Sequence, residues 1–541
     1  MSRTVTLLLY EPRRVWQPWW LWLLAVGLGV SLAFGSPRLV IGVLGATAVC
    51  LLILRQPLWG LGLALLAGPW AALESVVLGP LLPGGGLLNS GQLLLLLTLA
   101  AWLARGLLRR HISLPPTFLN LPLALLLYLM LLTLIHSYDL FTGFKELIKW
   151  VQMGLIVWLV ADMVAGVSPK PGFSLEQSWV TEGKSRLSSG FQWLLAALLL
   201  SGLSQALIGI WQFGLRSTGP EHFIILGRFY RAYGTFEQPN PFGGFMNLLG
   251  LLAWGLLLGL LTCGLLQGWT RWQERGGERG AKLTAVYYLW LVFAGLCAGA
   301  MSLALVFSWS RGAWLGFAAG LAVLLLTWPR RLWHGLILLL LAAGLLLLAV
   351  QFNLPGTAVL TERVTSFADD LTLADVRGAD INDANYAILE RLAYWQSGLD
   401  MARDYPWLGV GIGNYEPAYA DYALLNWPYA LGHAHNYYIN LLAETGIIGL
   451  FGYMLFWCII IGYTIGISRR LEWPWRGVAL GLLAAWVGLG VHHLVDKLYV
   501  NNIYIHLGLM LALLHLLRLD NSILSGKSFY EEVFVYESDG R

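Results

Sequence analysis

About fourteen stretches of mostly apolar residues recur along this chain, each about as long as the roughly 20 residues a helix needs to cross a bilayer. They centre near Val26, Ala46, Leu66, Thr98, Tyr128, Trp158, Gln205, Gly255, Phe293, Leu321, Ala342, Tyr453, Ala485 and Leu509. In lipid every backbone N–H and C=O must be satisfied within its own segment, so such runs fold as helices. The chain is 57% hydrophobic and 12% charged, with mean hydropathy +0.66. Soluble domains run about 45–50% apolar and about 25% charged. The sequence therefore predicts an all-α, polytopic integral membrane protein with about 12–14 transmembrane helices. The first run, near Trp19–Gly35, is followed at once by others and reads as a retained helix. Cys50, Cys263, Cys297 and Cys458 all fall inside apolar runs and read as small hydrophobes, not as disulfides or metal ligands.

One long polar interruption divides the pattern. Residues 1–352 are expected to hold membrane helices 1–11, 353–437 a large extracytoplasmic loop, 438–518 helices 12–14, and 519–541 a cytoplasmic tail. With the loop outside, alternation puts both termini inside. Most of the 34 Lys and Arg then fall in short inside segments, including Arg13, Arg14, Arg105, Arg109, Arg110, Arg330, Arg331, Arg469 and Arg470. That clustering is what the positive-inside rule expects. Arginines left outside, among them Arg228, Arg231, Arg311 and Arg391, run against the bias and stand out as functional candidates.

Five constellations lie on the outer side. In RFYRAYGTFEQPNPFGGFM, Pro239 and Pro241 are expected to exclude regular helix until Gly243–Gly244, leaving Arg228 and Arg231 on a shaped turn. An arginine there can grip phosphate with its fork of N–H donors; lipid headgroup anchoring is the plainer use, with Tyr230 and Tyr233 beside it. SWSRGAW puts Arg311 at a tight corner between two apolar runs. In the loop, Leu392, Trp395, Leu399 and Ala402 share one face of a helix that Pro406 ends. Such a helix can lie flat on the bilayer, with Arg391 in its first turn, where the helix dipole disfavours a cation. The acidic run Asp369, Asp370, Asp375, Asp380 and Asp383 reads as a solvated face. GVGIGN lacks the lysine and the strand–helix setting of a phosphate loop and reads as a turn.

The last two constellations are histidine-bearing. GHAHNYY places His433 and His435 where the chain re-enters the membrane, with Asn436 beside them. Their i, i+2 spacing argues against a paired helical zinc site. An imidazole at a membrane surface suits a general base, and His435 is the better candidate. HHLVDKLYVNN sets His492 and Asp496 at i, i+4, a pair that orients an imidazole, serves structure or, least favoured, binds a metal.

Together these segments resemble the O-antigen ligase and O-antigen polymerase superfamily of bacterial inner-membrane glycosyltransferases. The resemblance is strongest from about Phe236 to Val495. It rests on the QPNPFG turn, the SRGAW corner, ERLAYW…PWLGVGIGNY and HAHNYYINLLAETGIIGL, in which Gly446 and Gly449 fit the glycines that follow the family's histidine. It implies a GT-C-like membrane fold in the bacterial cytoplasmic membrane, with its active site facing the periplasm or exterior. It also implies inverting, metal-independent and cofactor-free transfer of a glycan from a polyprenyl diphosphate carrier to a hydroxyl on a glycan or lipid-glycan acceptor. Carried over residue by residue, Arg231 and Arg391 hold the diphosphate, Arg311 supports them, and His435 is the base. Arg228, Asn436, His433, His492 and Asp496 are possible support. The expected partners are donor, acceptor and membrane lipid, with no nucleic acid; ligase and polymerase remain equally open.

The rival class is a transporter of a small anion such as bicarbonate. Transporters place ionisable groups near the bilayer midplane. Here Glu74 and Asp162 lie near span ends and the polar constellations share one face, which favours an enzyme acting at one surface.

Overall fold

The computed structural model describes residues 37–519 apart from 79–87, 111–113, 166–177, 217, 274–277, 355, 359–360, 362–374 and 383–384. Its α-helices are α1 (Pro37–Arg55), α2 (Pro57–Ala67), α3 (Ala71–Leu78), α4 (Ser90–Leu108), α5 (Asn120–Leu132), α6 (Leu140–Val160), α7 (Ser178–Gly214), α8 (Pro239–Gln273), α9 (Glu278–Phe307), α10 (Arg311–Thr327), α11 (Leu332–Gln351), α12 (Tyr386–Asp404), α13 (Tyr415–Tyr422), α14 (Tyr437–Arg470), α15 (Trp475–His492) and α16 (Ile503–Leu519). Among the described residues nine helices are long and apolar enough to cross a membrane, and four shorter apolar ones stand at Val40–Arg55, Asn120–His136, Arg311–Thr327 and Ile503–Leu519. Each sits where a run is expected from the sequence; the run near Val26 lies outside the described residues. The protein is an all-α, multi-pass membrane protein. Among the described residues the only sheet is one hairpin, Ile224–Ile225 against Phe229–Tyr230.

Position in the bundle follows from how evenly each helix is apolar. The best apolar window of α15 is 83% buried, whereas that of α11 is 6% buried and shows Leu340, Leu341, Leu345, Leu346 and Leu347 outward. A helix apolar all round is either enclosed by others or faces lipid; α15 and α16 are the first kind, α11 the second. Around α15 pack α8, α10 and α14, while α6 lies against α16 and α9 against α8.

Small residues set the closest contact. GLLLG on α8 (Gly255, Gly259) crosses GVALG on α15 (Gly477, Gly481), and a Cβ on Gly255 would meet the backbone of Gly477 and Gly481. Glycines four apart let membrane helices approach backbone to backbone. The Gly481→Leu substitution should therefore drive α15 off α8, at a cost of about 1–3 kcal/mol or more from overpacking. A melting temperature in detergent equal to that of the wild type would refute this contact.

Candidate functional site

One end of the bundle gathers the N-termini of α8, α10 and α14, the C-termini of α9 and α15, and the long loop. Three local devices build it. At α8 the helix begins at Pro239, earlier than expected from the sequence, because Pro239 and Pro241 occupy a first turn whose N–H groups have no intrahelical acceptor. At α10, Ser310 caps the helix by accepting the amide of Ala313, and Arg311 is its first residue. At α14, Asn436 caps with bonds from Tyr438 N at 3.0 Å and Ile439 N at 3.1 Å.

Between these ends lies a cleft lined by Arg231, Asn240, Trp309, Ser310, Arg311, Gly312, Arg391, His492, Val495 and Asp496. The three arginines come from segments far apart in sequence. Arg231 donates from Nε to Ser308 O at 3.0 Å and from Nη2 to Asn240 Oδ1 at 3.2 Å, so its guanidinium is held in place. Arg391 stands five residues into α12, past the first turn, because that helix begins at Tyr386; the expected dipole cost does not arise. Helix N-termini and guanidinium groups facing one space make a strongly anion-attracting site.

The histidines meet this cleft at its acidic corner. His435 Nδ1 is 3.8 Å and His433 Nε2 is 3.9 Å from Asp496 Oδ1, electrostatic contacts just beyond hydrogen-bond length. His435 adopts φ +51°, and its amide donates to His433 Nδ1 at 3.1 Å. A neutral His433 with Nδ1 accepting carries its proton on Nε2, the atom turned to Asp496. His433, His435 and Asp496 bring potential metal-ligand atoms within 4.8 Å of one another. A metal ligand of this kind normally donates its other ring N–H to an acceptor; His433 Nδ1 instead faces a donor. The cluster is therefore better built for holding protons than for holding a metal. Both ring nitrogens of His435 are buried without a hydrogen bond to a described residue. Nδ1 is turned to Asp496, and Nε2 has no hydrogen-bond partner among the described residues.

Charge follows from this packing. Burial, reinforced by neighbouring His435, pushes His433 down to about 3 against the pull of Asp496, and burial with His492 beside it brings His493 to about 3. Burial of Asp496 raises its carboxyl, but His435 and its neighbouring imidazoles outweigh that and hold it below the usual carboxylate range. At neutral pH Asp496 is a carboxylate and the His433 and His493 rings near it are neutral. Unfolded imidazoles take up protons near pH 6.5, so their stabilising contribution is complete above that pH and is lost as pH falls towards 3. For His433 alone this amounts to roughly 2 kcal/mol by pH 5. Melting temperature is expected to fall between pH 7 and 4.5, and less steeply in His433→Gln; equal slopes would refute the assignment.

The loop supports the corner from behind. α14 breaks at Gly446, φ +61°, and a Cβ there would strike the backbone of Trp407 and Leu408. The amides freed by the break donate to the loop: Ile447 N to Pro406 O at 2.9 Å and Ile448 N to Trp407 O at 3.3 Å. Val410 N returns a bond to Ala443 O at 3.0 Å. GVGIGN is thus a turn, as expected, and its use is to dock onto the broken helix below His435.

Other candidates fall differently. Arg228 is exposed and lies over the Phe229 ring at 4.6 Å, outside the cleft. α15 ends at His492, so His492 and Asp496 meet in the cleft without sharing a helix. α12 does not present a single lipid-ready stripe: Leu392, Ala393, Tyr394 and Trp395 are all buried, and the helix packs on α14. Asp375 and Asp380 are exposed, while Asp369, Asp370 and Asp383 lie outside the described residues. Sequence reading missed Asn240, Tyr394, whose ring is 5.8 Å from His435, and Lys497, buried 4.0 Å from Glu444. Alternation of Tyr and acid along α12 was the available signal for Tyr394; nothing in the sequence joins Lys497 to Glu444.

Fold and cleft define a multi-pass membrane protein whose polar site lies at the helix ends. Residues 296–454 match the family described as O-antigen ligase, inside the stretch that carries the resemblance. The match runs from α9 into α14 and takes in Arg311, Arg391 and His435. No curated protein matches the chain.

Proposed function

We propose that the protein moves a glycan from a polyprenyl diphosphate carrier to a hydroxyl acceptor on the outer face of the bacterial cytoplasmic membrane, with both termini inside and residues 353–437 outside. The observation that carries this reading is the convergence of Arg231, Arg311 and Arg391 on one cleft that shares Asp496 with His435. In the reaction His435 Nε2 takes the acceptor's hydroxyl proton as the oxygen attacks the anomeric carbon. The bond from that carbon to the phosphate oxygen breaks, and the electron pair leaves with the diphosphate. Attack from the face opposite the leaving group inverts the configuration. Asp496 steadies the imidazolium that forms, and the arginines hold the charge that grows on the diphosphate, the task of cationic clamps in other phosphoryl sites. With guanidinium groups in that role the transfer needs no metal.

In cells carrying His435→Ala, polyprenyl-diphosphate-linked glycan is expected to accumulate while membrane insertion stays normal. Wild-type levels of the lipid-linked intermediate in that strain would overturn the reading.

A further inference from the structure

The reaction needs a second substrate, and the face of α12 next to the one that bears Arg391 carries side chains that suit it. At about 100° per residue, Tyr394 projects between Glu390 and Arg391 on α12. Arg391 lines the cleft and the Tyr394 ring lies 5.8 Å from the His435 ring. Glu390 therefore stands on the other flank of Tyr394 from Arg391 and within electrostatic reach of His435, where an acceptor can approach while the diphosphate occupies the arginine cleft.

Glu390 belongs to a stripe. Tyr386, Glu390 and Tyr394 recur at i, i+4 and i+8, so they share one face of α12. Exposure falls along it: Tyr386 is 49% exposed, Glu390 half-buried and Tyr394 buried. The stripe leads from solvent to the proposed base. Its outer end is braced, with the Tyr386 ring 4.9 Å from that of Trp427, whose carbonyl accepts the Tyr419 hydroxyl at 2.8 Å. Tyr394 Oη donates to Tyr429 O at 3.0 Å, so that hydroxyl is committed to structure. Glu390 makes no hydrogen bond or ion pair with a described residue, and its carboxylate interacts electrostatically with both His435 and Arg391. Partial burial raises its carboxyl against their pull.

We propose that the Tyr386–Glu390–Tyr394 stripe is the track of the acceptor sugar. The Tyr386 ring stacks on a pyranose face, and Glu390 accepts a hydrogen bond from a hydroxyl beside the nucleophile, presenting that nucleophile to His435. An exposed aromatic ring one turn from an uncommitted carboxylate suits a polyhydroxylated ring with one apolar face; a bare lipid or a small anion has no use for the carboxylate. This assignment rests on the transferase reading above.

The test uses the purified full-length chain in nanodiscs. Polyprenyl-diphosphate-linked glycan extracted from the producing membranes serves as donor, and a glycolipid fraction from the same membranes as acceptor. Loss of a charged hydrogen bond, worth about 1.5–3 kcal/mol, should raise the acceptor KM by about tenfold or more in Glu390→Gln. A rise in the same direction is expected in Tyr386→Ala, and Tyr386→Trp should restore it. Donor KM and the slow release of glycan to water without acceptor should change less than the acceptor KM. Unchanged acceptor KM, or donor KM and water release moving in parallel with transfer, overturns the track alone. If the wild-type chain neither transfers nor hydrolyses the donor, the transferase reading falls and the track with it.

Discussion

The His435→Ala substitution is expected to lower the rate of glycan transfer by about 10²–10⁴-fold, the usual contribution of a positioned general base, with donor affinity unchanged. The geometry makes the loss specific to proton transfer. His435 does not line the arginine cleft, so a diphosphate bound there does not depend on its ring. Its backbone stays in place without the side chain, because the Asn436 cap fixes the start of α14 and Tyr437 N donates to His493 O at 2.8 Å. Asp496→Asn should give a smaller loss: the base survives, but the imidazolium loses its counter-charge. A further discriminator is the order of effects. If Asp496 acts only through His435, adding Asp496→Asn to His435→Ala changes the rate little, because residues acting as a unit are non-additive. Transfer by purified His435→Ala within a few fold of wild type would remove the base assignment, and fully additive losses would separate Asp496 from it.

Much of this site could be read from the chain because it is made of exceptions. A charge outside the inside-positive pattern, a proline pair before an apolar run, and a histidine at the start of a span each violate a local expectation. Arg231, Arg311, Arg391 and His435 all violate one, and the structure brings them to the same end of the bundle. The spans were legible for a related reason: apolar length is the dominant constraint in lipid, and thirteen of the expected runs coincide with helices. What stayed hidden was set by tertiary context. That α8 starts at Pro239 depends on first-turn amides having no acceptor within the helix. That GVGIGN docks on Ala443–Ile448 depends on a break at Gly446 which an apolar run does not reveal. The pairing of Lys497 with Glu444 joins residues far apart in sequence. Glu390 escaped notice because an exposed-looking glutamate on an amphipathic helix breaks no rule until His435 is placed beside it.

Lysine in place of Arg391 should raise the donor KM on the order of 10–100-fold, the equivalent of about 1.5–3 kcal/mol of charged hydrogen bonding, while leaving the melting temperature close to that of wild type. Charge is conserved in this exchange; the planar fork that engages two phosphate oxygens at once is lost. Arg391 is half-buried on the cleft side of α12, and the buried packing of that helix comes from Leu392, Ala393, Tyr394 and Trp395, so folding has little stake in it. The matching change at Arg231 has a different signature. Its guanidinium bonds to the carbonyl of Ser308 at the end of α9 and to Asn240 at the start of α8. An ammonium cannot reproduce both, so Arg231→Lys should lower stability as well as donor affinity. The contrast separates the two uses of an arginine at a membrane surface. A headgroup anchor would tolerate lysine at either position, and donor KM would not move. Donor binding, measured with polyprenyl diphosphate as a competitor of the glycan-linked donor, should weaken in both variants if the cleft holds the diphosphate. Undiminished competition in Arg391→Lys would mean that the diphosphate binds elsewhere.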